Sequence, residues 1–205
     1  MEMRMRRTER GLFSVMLVFC AISSPPPSPL QIIQRSNAQV QDVLSKHVTL
    51  DKETEGEIFR IISEVTDFNS ISRSVIDRFC RNLTDIQCET FDRVFQRLLM
   101  VSSIKKLGRY RAERFEYLGE ELKDDKATVK TLAYYKDEVV RLDYLLERVD
   151  GKWLVFNYIV DDVDTIHNYR KQFTRLFART DFQGIVERLE RKTAEYEKEY
   201  ESLED

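Results

Sequence analysis

The chain has 205 residues, of which 33 are Lys or Arg and 36 are Asp or Glu, giving a formal net charge of −3. An acidic balance without a basic block is a poor footing for nucleic acid, where affinity comes from neutralised phosphates. It also argues against constant adhesion to anionic membrane through a polybasic patch. Hydrophobic residues make up 42 % of the chain, enough to build the core of one domain.

Arg4, Arg6, Arg7 and Arg10 precede an uncharged run from Gly11 to Ile22, which gives way to Ser23-Ser24 and a proline cluster. A basic start, a short apolar stretch and small residues at its end make a secretory signal. The run is too short to span a membrane as a helix, which needs about 20 residues. Ala21-x-Ser23 places the cut near Ser23. A lipoprotein anchor on Cys20 is disfavoured by the bulky Phe19 before it. Residues 1–24 are therefore expected to be a signal peptide, 25–30 a proline-rich spacer, and 31–205 one domain ending in a charged helix. Residues 1–24 hold four Arg and two Glu, so their removal leaves 29 basic against 34 acidic residues and a charge of −5.

Beyond the prolines, residues 30–107 read as helices. Val40, Val43 and Leu44, then Ile58, Ile61, Ile62 and Val65, then Ile71, Val75, Ile76 and Phe79, recur at helical spacing. Thr84-Asp-Ile-Gln87 forms a capping box that opens a long helix, with Gly108 as its expected stop. From Tyr110 the period changes to two. Weaker strands near Phe115–Leu118 and Val129–Tyr135 precede the alternation Val140-Arg-Leu142-Asp-Tyr144-Leu-Leu146. Asp150-Gly151 then predicts a tight hairpin into Trp153–Val160. Helices follow from about Val163, and the charged tract Glu187–Glu199 reads as a solvated helical face. Helices, an antiparallel sheet of about four strands, and helices again make a mainly helical α+β single domain.

Phe91, Phe95 and Leu99 fall on one face of the longest helix, Leu142 and Tyr144 project from one strand, and Val155 projects from its hairpin partner. Tyr169 and Phe173 repeat at i, i+4 on the next helix. Core packing and the wall of an apolar cavity share this composition. Catalytic readings are thin. The glycines are too scattered for a phosphate-cradling loop, and no serine sits in a nucleophile elbow. His167 lies beside Asp161, Asp162 and Asp164, but without the ligand spacing of a calcium loop. Asp164 is better read as a helix N-cap. Neither a cofactor nor a metal is expected. Export permits a disulfide between Cys80 and Cys88, and two packed thiols fit the sequence as well.

Three stretches resemble the MlaC family of toluene-tolerance (Ttg2-type) proteins. They are Ile62-Ser-Glu-Val-Thr-Asp-Phe-Asn-Ser-Ile71, then Asn82-Leu-Thr-Asp-Ile-Gln87 leading to Phe91 and Phe95, then Gly151-Lys-Trp153 through Asp161 with Asn168–Phe173 and Phe182-Gln-Gly184. The similarity runs from about Val40 to Lys192. It implies a cone-shaped fold like nuclear transport factor 2, with acyl chains held in a cavity between sheet and helices. Phe91, Phe95, Leu99, Leu142, Tyr144, Val155, Tyr169 and Phe173 become its expected lining. The resemblance also implies a monomeric periplasmic shuttle for phospholipid, working between an inner-membrane ABC transporter and an outer-membrane lipoprotein complex. Cys80, Ser102-Ser103, Asn157 and Asp162 stand where the family commonly has Trp, Tyr, Asp and Gly. Those departures extend the expected cargo to another envelope lipid such as a hopanoid. A hydrolase or isomerase on the same cone is weakened by Asn157, which stands in place of a possible catalytic Asp. A non-enzymatic structural adaptor is the remaining alternative.

Overall fold

The computed structural model describes residues 25–47, 50–109 and 111–201. The expected signal peptide, Cys20 and the cut near Ser23 lie outside the described residues. The first helix, α1, spans Pro29–Lys46. Ser28 caps it reciprocally: its hydroxyl accepts from the Gln31 amide at 3.3 Å, and the Gln31 side chain accepts from the Ser28 amide at 3.0 Å. Pro29 suits the first helical position, where a backbone N–H would lack an intrahelical partner. The domain thus begins inside the stretch read as spacer, and Pro29 is already buried.

Helix α2, Lys52–Val65, is capped by Asp51, and α3, Phe68–Cys80, by Asp67. Helix α4, Asp85–Arg109, opens with the expected box, in which Gln87 N donates to Thr84 Oγ1 and Thr84 N to Gln87 Oε1. It stays helical through Gly108, because a glycine ends a helix only where the chain turns left-handed. Cys80 and Cys88 join the end of α3 to the first turns of α4 as a disulfide, with Cα atoms 5.9 Å apart.

The sheet is antiparallel and unbroken in order: β1 Arg114–Lys123, β2 Lys126–Tyr135, β3 Glu138–Val149, β4 Lys152–Val160 and β5 Val163–Asp164. The fifth strand, two residues long, exceeds the count expected from alternation, which such a short pairing cannot display. Asp150 and Gly151 both have positive φ, 49° and 80°, as a primed hairpin turn demands. Asp161 and Asp162 repeat this at 47° and 63° without a glycine. At the edge, β1 bulges between Tyr117 and Gly119, where φ of +124° suits only glycine.

Helices α5, Thr165–Phe177, and α6, Phe182–Glu201, complete the fold. Ile185, Leu189 and Thr193 give α6 its buried stripe, while its charges face outward, Glu197 meeting Arg97 of α4 at 2.6 Å. Three apolar clusters follow from this layout. One unites α3, α4, α5 and α6, a second lies between α1 and strands β2 to β4, and a third joins α1, α2 and α4.

Strand β4 fixes the helices to the sheet. A register shift opposite Leu145 and Leu146 inserts Phe156 as an extra residue, so Val155 and Tyr158 both pack among helix-side groups despite their odd spacing. Asn157, which stands in place of a possible catalytic Asp, serves the start of α5. Its carbonyl accepts from Tyr158 N at 2.9 Å and Ile166 N at 3.2 Å, and its amide donates to Asp164 Oδ2 at 2.9 Å. Asp164 in turn caps α5 by accepting from His167 N at 2.7 Å.

Asn157→Asp sets a carboxylate against Asp164 in a buried corner and removes the amide donor that Asp164 Oδ2 accepts from. A cost of about 1–3 kcal/mol is expected at neutral pH. The introduced acid has a raised folded pKa, so the deficit shrinks as pH falls through that value; urea unfolding at pH near 7 and near 4.5 reads both. Replacing both Cys80 and Cys88 by Ala is expected to lower stability by about 2–3 kcal/mol, from the lost loop constraint. A reductant should then shift the unfolding midpoint of the parent and leave the double variant unmoved.

Candidate functional site

Of the eight singled-out residues, five come together on the helical side. Phe91 and Phe95 on α4 face Phe173 on α5 edge-on, at centroid distances of 5.0 and 5.3 Å. Tyr169 meets Phe95 edge-on at 5.0 Å, and Leu99 packs in the same cluster. Rings in edge contact gain about 0.5–1.5 kcal/mol per pair beyond their buried area. They occupy one another's faces, so room for a hydrocarbon chain requires them to part. Burial pushes the Tyr169 hydroxyl up, partly offset by a hydrogen bond with Ser102.

Leu142, Tyr144 and Val155 belong to the second cluster, beneath α1, with Ile33, Val129 and Leu146. Tyr158 packs against both clusters and makes them contiguous. Its hydroxyl shares a hydrogen bond of 2.8 Å with Thr66, the residue that closes α2, and its ring meets Tyr144 at 5.7 Å. At the same junction Asp67 N donates to Val155 O at 2.9 Å, so the α2–α3 corner is stitched to β4.

A line of polar groups runs from this junction to the seam between α1 and β1. Tyr144 donates to Asn37 Oδ1 at 3.1 Å, and Asn37 Nδ2 donates to the Tyr117 hydroxyl at 3.2 Å. Burial pushes the Tyr144 hydroxyl far up and Tyr158 up to about 12. Tyr117 and Tyr135 are raised for the same reason. Four hydroxyls that stay neutral can donate or accept hydrogen bonds without carrying charge into an apolar interior.

Two grooves are open at the surface. One, of about 530 Å³, lies between α2, α3 and α4 and is lined by Phe59, Phe68, Arg73 and Met100 among others. There Asp92 is held by Arg73 and by the Ser72 hydroxyl, the latter at 2.8 Å. The other, of about 650 Å³, flanks the C-terminal half of α1. Neither contains any of the eight residues. Among the described residues no group of three or more His, Cys, Asp or Glu is placed to hold a metal, and no helix is long and apolar enough to cross a membrane.

Sequence reasoning passed over Asn37, Thr66, Tyr117 and Tyr158 as site residues. Strict alternation from Val155 turns Tyr158 outward, and only the bulge brings it in. Asn37 lies 80 and 107 residues from its two tyrosine partners, a distance no local pattern spans. Its single signal is a polar residue close to the apolar face of α1 marked by Ile33 and Val40.

The fold and these contiguous clusters define an α+β protein with helices packed on an open antiparallel sheet and neutral tyrosines at the junction. Residues 34–191 match the profile of the MlaC protein family. The chain belongs to that family. It is 23 % identical over 177 residues to the toluene tolerance protein ttg2D of Pseudomonas putida, covering 83 % of this chain and 82 % of that one. Its fold also matches a phospholipid-binding protein from Ralstonia solanacearum, solved in complex with a phospholipid. There the TM-score is 0.70 at 18 % identity, over 83 % of this chain and 99 % of the other.

Tyr158→Phe strands the Thr66 hydroxyl in a buried corner and is expected to cost about 1–2 kcal/mol. Alkaline unfolding checks the raised hydroxyls. Their folded values exceed the unfolded value near 10, so the unfolded state loses protons first and stability falls from about pH 10 up to the folded value. Urea midpoints stepped through that range should decline, and less steeply in Tyr158→Phe.

Proposed function

We propose that this protein carries phospholipid through the periplasm, with acyl chains lodged between sheet and helices where the two apolar clusters meet at Tyr158. On this reading it collects lipid from, or delivers it to, an inner-membrane ABC transporter and an outer-membrane lipoprotein complex. The observation that carries the reading is membership of the MlaC family along most of the chain. The fold likeness to a protein solved with a phospholipid supports it.

The energetics suit a carrier. At about 0.8 kcal/mol per methylene, a tail of about 16 carbons resists passage through water by roughly 12 kcal/mol. Lowering that barrier takes apolar surface and no reactive group, and Phe91, Phe95, Leu99, Leu142, Tyr144, Val155, Tyr169 and Phe173 provide such surface. Separating the aromatic rings offsets part of what tail burial gains, so the protein releases its cargo more readily than a rigid empty cavity would. The chain is read as a binding protein, without catalysis, and as a monomer. The mutual contact of those rings also fits a structural adaptor whose interior is filled by its own side chains.

Native mass spectrometry of the mature chain, purified and then mixed with phospholipid vesicles, separates the two. A carrier retains one lipid mass per chain, and extraction identifies it as phospholipid or another envelope lipid. Recovery of bare protein with every lipid offered would sink the carrier reading and leave the adaptor.

A further inference from the structure

The polar line between α1 and the sheet is unexpected in a contact otherwise made of Ile33, Val129, Leu146 and Val155. Apolar side chains of matching shape would hold α1 there about as well, since a buried hydrogen bond adds little net stability once its desolvation is counted. Its placement suggests a use. One end, Asn37 with Tyr117, is half-buried at the seam where α1 lies along the edge strand β1. The other end, Tyr144, touches Tyr158 at the point where the two apolar clusters join. Neutral hydrogen-bonding groups leading from a seam to a fork between two apolar regions match a molecule with two tails and a neutral polar linkage above them. The seam also carries Glu120, which accepts from Leu30 N at 2.7 Å. A carboxylate there opposes an inserted phosphate and leaves an uncharged ester as the better partner.

We propose that Asn37, Tyr117 and Tyr144 recognise the ester linkages of a two-tailed lipid that loads through the seam between α1 and β1. The inference rests on the carrier reading. Without cargo the three side chains satisfy one another. On loading, the Asn37 amide and the tyrosine hydroxyls turn to the ester carbonyl oxygens, so hydrogen bonds are exchanged and few are lost. Lipids whose tails are joined by ethers lack those carbonyl acceptors and bind less well, as do hydrocarbons without a linkage.

The test compares a diacyl phosphatidylglycerol with its dialkyl ether counterpart of equal chain length, in competition for the mature protein, read by native mass spectrometry. The parent is expected to prefer the diacyl lipid by about fivefold or more, the worth of one or two hydrogen bonds. Asn37→Leu and Tyr144→Phe should erase that preference chiefly by weakening the diacyl complex, with thermal unfolding confirming that each variant is folded. Should a variant fail to fold, the parent's preference and the milder Tyr117→Phe decide the matter. Equal binding of both lipids by the parent overturns linkage recognition and leaves the carrier reading standing. Binding of neither lipid overturns both.

Discussion

Four residues of β4, Val155 to Tyr158, decide where the helices stand. Phe156 is one residue too many for the ladder with β3, and that surplus puts both Val155 and Tyr158 on the helix side. From there Val155 receives the Asp67 amide, Tyr158 bonds Thr66, and Asn157 gathers the first turn of α5. Three separate helices, α2, α3 and α5, therefore take their position from one irregularity. A regular strand would point Tyr158 at solvent and leave Thr66 without its partner.

Polar groups link the same elements from within. A wholly apolar interior would pack as firmly, yet Thr66, Tyr144 and Tyr158 meet at the junction of the two apolar regions, and Asn37 and Tyr117 continue the polar line to the seam with α1. Each hydroxyl with a partner is satisfied by a residue far away in sequence, so the bonds knit α1, the α2–α3 corner and the sheet into one unit. Because Tyr144 and Tyr158 keep their protons well past neutral pH, the junction between the two apolar regions carries no tyrosinate charge in the physiological range. That neutrality is compatible with hydrocarbon close by, where a charge would be costly.

Local chemistry made much of this legible in advance. Apolar spacing located the helices, the Thr84 box and the Asp164 cap marked two of their starts, and Asp150-Gly151 marked the hairpin. Each of those signals lies within a few residues. What escaped is non-local or exceptional. Ser28 with Gln31 starts α1 among prolines that read as a linker. Gly108 sits inside a helix held by its neighbours, β5 is too short to alternate, and Asn157 is drawn to α5 by Asp164. For the candidate site the eight apolar residues divide between two contiguous clusters. The polar line beside them depends on contacts across as many as 107 positions.

The edge strand β1 has a bearing on solubility. An exposed strand edge invites another chain to extend the sheet, and a long, flat, apolar edge is the usual seed of fibres. Here Arg114, Glu116, Glu120, Glu121 and Lys123 line the strand, and the bulge at Gly119 twists it midway. Although Leu118 and Leu122 are exposed, charge and twist deny a neighbouring molecule a straight template. At high concentration the folded chain is protected from stacking edge to edge by five side chains and a single glycine.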